Sequence, residues 1–306
     1  MKRRLRIGIK LLATGTFDPT KPGNVQGDEQ VARAWEKYLA RSGQVQSVRL
    51  YDAKSRISDN LDVLIHFNPF LDFDNKTRNI LYMQNAFPES KYPGGVAGIY
   101  RRVKDRFEGF LYTSRPLMEA CGPGAVIPFA TDPEVFFPRP DPAYSIPVAL
   151  VGNDLRGGAI NKRYFEPAIP LGLVVYGNQW TPPLSTVSRG KLPMDDLPKL
   201  YSSATINLNA HLADHVRWGT VNLRIYDILA CGGFVISDYN RSMAELFGES
   251  VVCTEGFEDL WAKIVHYLSD TDERKRRAEL GRKIVLSDHT YEARSRDLLK
   301  YLDEVL

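Results

Sequence analysis

Three side chains call for a chemical explanation: Thr220, Arg224 and Asp227, in the stretch "WGTVNLRIYDILACGGFVISD" that runs from Trp218 to Asp238. The stretch reads as a helix, a Gly-Gly stop and a buried strand. Leu223, Ile225, Ile228 and Leu229 give that helix an apolar face, while the other three residues fall at i, i+4 and i+7 on one side of it. A helix start presents unpaired N–H groups and the positive end of the dipole, which suits a phosphate. Gly219 and Thr220 sit where the helix should begin, with Thr220 as N-cap. Arg224, one turn on, adds a guanidinium suited to a diphosphate. Asp227, about 10 Å further along from Thr220, only accepts hydrogen bonds and suits the vicinal hydroxyls of a ribose. Phosphate above and ribose below describe a bound nucleotide. The same residues also fit a solvated i, i+3 pair of Arg224 with Asp227.

Other polar residues gather at apparent strand ends, where open α/β sheets bind ligands. "VALVGNDLRGGAINKR" carries Asn153 and Arg156 ahead of a Gly-Gly turn and has the look of an anion loop. "VVYGNQW" ends in Gly177, Asn178 and Trp180, and "INLNAHLADH" in Asn209, His211 and His215. His211 and His215 have the spacing of a metal pair, but no Glu or Cys completes a ligand set, so no metal is expected. "DFD" at Asp72–Asp74 has the Asp-x-Asp spacing that holds a divalent ion in one class of sugar transferase, and fits a solvated turn equally. No nucleophile elbow surrounds Ser114, Ser202 or Ser203. The loop "GTFDPTKPGNVQGDEQ" lacks a dinucleotide fingerprint and a P-loop lysine. Asp18, Asp28 and His66 are the bases near that edge, and His66 in "LIHFN" also suits a satisfied core histidine.

These residues need a scaffold of alternating strands and helices. "LRIGIKLLA", "VQSVRLY", "DVLIHFN", "NILYMQN" and "GFLYTS" read as strands, "DEQVARAWEKYLARSG" as an amphipathic helix ending at Gly43, and "RPLMEACG" as a short helix. The Pro-dense stretch from Phe129 to Pro147 reads as a hinge. A second series follows: "VALVGN", "LGLVVYGN", "LPKLYSSA", "TINLNAH", the helix above, "GFVISD" and "SVVCT", with three helical patterns from Gly256 to Leu306. Such alternation predicts parallel sheets covered by helices, with a ligand cleft between two units. The chain has 306 residues, 43% hydrophobic and 25% charged, enough for two medium domains. No stretch is long and apolar enough for a transmembrane segment or has the form of a signal peptide. A formal net charge of +3 gives no argument for nucleic acid. Three scattered cysteines, Cys121, Cys231 and Cys253, suit reduced thiols and a cytoplasmic setting.

"TVNLRIYDILACGGFVISDYNRSMAELF" resembles the nucleotide-binding segment of CgeB-like, spore-maturation-type glycosyltransferases, which are similar to family 4 glycosyltransferases. "VIPFATDPEVFFP", "VGN", "YGNQW", "GKLPMDDLPKLYSSATINLN" and "DHTYEARSRDLL" resemble further segments of these enzymes in the same order, so the resemblance covers most of the chain. It implies an α/β protein of the GT-B fold: two Rossmann-like domains facing each other over a cleft, with the C-terminal helix crossing back to the N-terminal domain. The implied units are an acceptor-side domain over 1–140, joined by a crossing helix at 290–306, and a nucleotide-sugar-binding domain over 141–289. Asp227 stands where these enzymes carry a ribose-binding glutamate. The backbone from Gly219 to Val221, followed by Asn222, would receive the diphosphate, and Lys191 and Leu192 would lie against the base. The family 4 pattern has a further glutamate where this chain has Gly219.

The expected activity is transfer of a sugar from a nucleotide-diphosphate sugar to an acceptor hydroxyl of a glycan, a cell-surface component or a small molecule, with no cofactor and no metal. Arg224 and Arg156 would stabilise the leaving diphosphate, and in an inverting reaction a base of the first unit, Asp28 first and His66 second, would take the acceptor proton. A nucleotide-sugar epimerase and a non-catalytic sugar-binding protein are the alternatives. Nucleoside, sugar, acceptor, stereochemical outcome and oligomeric state have no signature in the sequence.

Overall fold

Parallel strands buried on both faces need nearly continuous apolar runs, and the chain supplies them twice. In the computed structural model, which describes residues 3–12, 20, 27–57, 60–72, 76–155 and 157–306, the first set is β1 (Leu5–Lys10), β2 (Val45–Tyr51), β3 (Val63–His66), β4 (Arg78–Met83), β5 (Gly109–Tyr112) and β6 (Ala125–Val126). The second set is β7 (Val148–Val151), β8 (Leu173–Tyr176), β9 (Ile206–Asn209), β10 (Val235–Asp238) and β11 (Val252–Thr254). The sets form two separate parallel sheets, ordered β2-β1-β3-β4-β5-β6 and β11-β10-β9-β7-β8. Each sheet grows one way for two strands and then reverses, which places switch points at β1/β3 and β7/β9. Ligands bind outside the carboxyl ends of strands at such points.

Helices α1 (Gly27–Arg41), α2 (Gly95–Val103) and α3 (Arg115–Cys121) accompany the first sheet. The second carries α4 (Gly158–Tyr164), α5 (Leu197–Ser203), α6 (Ala213–Trp218), α7 (Leu223–Ala230), α8 (Arg241–Phe247), α9 (Phe257–Ser269) and α10 (Thr271–Asp288). The last helix, α11 (Tyr291–Val305), returns to the first unit. Its Tyr291, Leu298, Leu299 and Leu302 share one buried cluster with Ile7, Trp35 and Val63. Thr290 caps it by accepting from Ala293 N at 3.3 Å, and the Thr131–Thr290 bridge stitches the hinge to its start.

The two units also meet along the cleft. Thr113 and Thr220 hydroxyls lie 2.7 Å apart, Ser114 Oγ donates to the Trp218 carbonyl, and Glu89 pairs with Arg217 at 3.0 Å. Asp227 of α7 accepts from Thr131 Oγ1 at 2.9 Å and from Gln30 Nε2 at 3.1 Å.

Candidate functional site

The carboxyl ends of both sheets face a shared cavity of about 450 Å³. From the first unit it is lined by Gly27, Asp28, Gln30 and Val31 at the start of α1, by Gln84, Asn85 and Ala86 after β4, and by Phe129. From the second come Gly152 and Asn153 after β7, Gly177 after β8, Lys191 and Leu192, Tyr201 of α5, Leu212 and His215 beyond β9, and Leu223, Arg224 and Asp227 of α7 with its N-cap Asn222. Close strand ends make room for it. Gly177 has φ +135°, and a Cβ there would lie 1.9 Å from the Gly152 carbonyl oxygen, so a side chain would force the loops after β7 and β8 apart.

Two cations, Lys191 and Arg224, line the cavity from the second unit, and Arg224 belongs to the first turn of α7. The α7 axis contributes unpaired N–H groups and a positive dipole end to the same spot. Arg224 Nη1 donates to Asn209 Oδ1 at 2.9 Å and the guanidinium also reaches Tyr201. It is therefore held by the floor of the site, and no Arg224–Asp227 ion pair forms among the described residues. Asp227 is 3% exposed. Burial pushes its carboxyl up to about 8, against the opposing pull of its hydrogen bonds from Thr131 and Gln30. On the opposite wall, burial raises Asp28 to about 6, into the range where a carboxylate works as a base near neutral pH.

Several sequence expectations need correction. The helix expected to face a phosphate starts at Leu223, three residues after Thr220. Gly219, at φ +69°, instead ends α6, and the Thr220 hydroxyl is engaged by Thr113 across the unit boundary. Of the Gly219–Asn222 segment, only Asn222 lines the cavity, and Val221 packs in a buried cluster with Met243 and Phe247. A side chain at position 219 would be strained, because the φ there is positive and a Cβ would lie 2.4 Å from Ser242 Oγ, which would have to turn away. Trp180 is a core residue: its ring packs edge-on to Phe165 and its Nε1 donates to the Gly152 carbonyl at 2.9 Å. Asn178 braces the loop through its N–H to Asn153 Oδ1, 2.9 Å away.

His66 is fully buried and outside the cavity lining, 2.9 Å from Asn79 Oδ1, with burial lowering it to about 4. His211 lies before α6 rather than on it and contacts Asp238 at 2.7 Å, whereas His215 contacts Asn222 at 3.1 Å. The two histidines therefore do not converge on one ion, and no three-residue metal cluster occurs among the described residues. Asp72 is exposed. Asp74, Asp18 and Arg156 lie outside the described residues. Gln30, Gln84, Asn85 and Tyr201 line the cavity without having been singled out. For Gln84 and Asn85 the signal was available, because they directly follow a strand.

Comparison with solved structures decides the architecture. Sucrose-phosphate synthase from Thermosynechococcus elongatus superposes with a TM-score of 0.70 at 12% identity, over 98% of this chain and 99% of that one. A glycosyltransferase from Rickettsia africae gives 0.68 at 13% identity, over 99% of both chains. Anabaena HepE, solved with UDP-glucose, gives 0.69 at 10% identity, over 98% of this chain and 100% of that one. The fold is GT-B. Residues 153–300, most of the second GT-B unit, also match the model of the Glycosyl transferase-like family. A search of curated proteins finds no match. Among the described residues no helix is long and apolar enough to cross a membrane. In GT-B terms the cavity is the interdomain cleft, and its cationic wall belongs to the unit that matches the family.

Proposed function

We propose that this GT-B chain is a glycosyltransferase that moves a sugar from a nucleotide-diphosphate sugar to an acceptor hydroxyl. The observation that carries the reading is one cavity with Arg224, Lys191 and the start of α7 on one wall and Asp28 on the other. The cationic wall suits a diphosphate, whose charge grows as the sugar leaves. No metal is needed in this scheme, because guanidinium, ammonium and helix start already supply positive charge. Lys191 and Leu192 flank the base, and Asp227 accepts from the ribose hydroxyls. Asp28 takes the acceptor proton in a single displacement. The finer kinship, to CgeB-like and family 4 enzymes, belongs to this proposal. It rests on Asp227, which replaces the ribose-binding glutamate of that pattern, and on the closing "DHTYEARSRDLL", which forms most of α11.

One observation favours the non-catalytic alternative: the position of the other family glutamate is held by Gly219, whose positive φ and contact with Ser242 would strain any side chain. Turnover separates the readings. Because HepE was solved with UDP-glucose, that donor is tried first, followed by GDP-, ADP- and dTDP-sugars. Slow release of nucleoside diphosphate without acceptor, faster with one, supports the transferase. Saturable binding with no release establishes a binding protein, and conversion of the donor sugar itself an epimerase.

A further inference from the structure

Beneath the cationic wall lies a chain of polar side chains with a fixed direction. Arg224 Nη1 donates to Asn209 Oδ1 at 2.9 Å. Asn209 Nδ2 donates to Ser237 Oγ at 2.9 Å, and Ser237 Oγ donates to Asp238 Oδ1 at 3.0 Å. Asp238 also accepts from the His211 backbone N–H at 3.0 Å and lies 2.7 Å from His211 Nδ1. Asn209, Ser237, Asp238 and His211 are all buried. A guanidinium can only donate and a carboxylate can only accept. With those two ends fixed, each bond between them has one polarity. Ser237 must give its single proton to Asp238, which leaves its lone pairs to face the Asn209 amide. Asn209 must then turn its carbonyl to Arg224. The same carbonyl accepts from Asn222 Nδ2 at 3.0 Å, so one amide holds Arg224 and also helps hold Asn222, the N-cap of α7, which donates as well to the Ala210 carbonyl.

We propose that Asp238, clamped by His211, is a positioning residue for the donor diphosphate, acting through Ser237 and Asn209 on Arg224. This rests on the reading that Arg224 meets the diphosphate. Without the carboxylate, Ser237 can turn its proton toward Asn209, the amide can flip, and its NH2 would then confront the guanidinium. Arg224 would lose its anchor and a bound anion would meet a mobile side chain.

Calorimetry with inorganic pyrophosphate tests this without choosing a nucleoside. The variants are Ser237→Ala, which removes one buried hydroxyl and little volume, Asp238→Asn, Arg224→Ala, and the Ser237→Ala/Arg224→Ala pair, with folding checked by circular dichroism. Ser237→Ala and Asp238→Asn should each weaken pyrophosphate about tenfold, the worth of one hydrogen bond to a charged group. In the Arg224→Ala background Ser237→Ala should cost nothing further, because its whole effect runs through the arginine. A merely structural role would cost the same in both backgrounds. Equal losses in the two backgrounds, or a Ser237→Ala protein that binds as tightly as wild type, overturns the proposal. If Arg224→Ala alone binds pyrophosphate normally, or the wild type does not bind it, the diphosphate reading fails and the proposal goes with it. Should Asp238→Asn not fold, the Ser237 cycle decides.

Discussion

Replacing Asp227 by Asn should move stability and ligand affinity in opposite directions. In the folded chain burial holds the Asp227 proton up to about pH 8, whereas an unfolded aspartate releases it near pH 4. The folded state therefore binds the extra proton between those values, and the contribution is full below the lower one. Stability then falls as pH rises, by about 1.4 kcal/mol per unit, on the order of 5 kcal/mol over the window. Asparagine is neutral throughout and can be accommodated, since Thr131 still donates to its oxygen and a Gln30 amide flip offers an acceptor to its NH2. Urea unfolding at several values from about pH 5 to pH 8.5 should show a wild-type stability that declines and a variant that is flatter and more stable at the alkaline end. Nucleotide affinity should fall by roughly 1–3 kcal/mol, because ribose hydroxyls lose a charged acceptor, and the preference over 2′,3′-dideoxyribose should shrink. Ribose binding should release a proton from Asp227, visible as a binding enthalpy that changes with buffer. Parallel stability curves would refute the buried-proton argument. Unchanged affinity and ribose preference would return Asp227 to a structural tie between Gln30 and Thr131.

Asp28→Asn should lower kcat by roughly 100-fold or more and leave donor affinity nearly intact. The wild-type rate should rise with pH through about 6, as Asp28 loses its proton, and the variant should lack that limb. Gly219→Ala should destabilise by about 1–3 kcal/mol, from its positive φ and its contact with Ser242. Adding Ser242→Gly should recover the contact part of the loss but not the rest, as read by thermal unfolding. Turnover is expected to persist in excess EDTA, and loss restored by magnesium or manganese would contradict the metal-free scheme.

The strands were legible because runs such as "VALV" and "LVVY" leave little choice in a sheet buried on both faces. Several short helices were not. α2 begins among Gly94, Gly95 and Gly98, which interrupt any helical period, and α4 starts within a Gly-Gly pair that resembled an anion turn. α6 is six residues with none buried, too short to show a period. In the site, Arg224, Asp227 and Asn153 were found from strand ends and helix spacing and Lys191 from the family resemblance, and all four line the cavity. Thr220 was misplaced because its partner, Thr113, lies 107 residues away on the other unit. His66 was ambiguous and Trp180 was placed at the site for the same reason: only tertiary contacts show that Asn79 and the Gly152 carbonyl engage their ring nitrogens. The Ser237–Asp238 anchor was unreadable because "FVISD" looks like any strand that ends in a polar pair.

The cationic wall of the cleft should bind a nucleoside diphosphate. Calorimetric titration of wild type and Arg224→Ala with UDP, GDP, ADP and dTDP tests it most directly. The wild type should bind at least one of them saturably, and the variant more weakly by about 2 kcal/mol, or roughly 30-fold, with folding intact. A wild type that binds none of the four, or a variant that binds as tightly as the wild type, would contradict it.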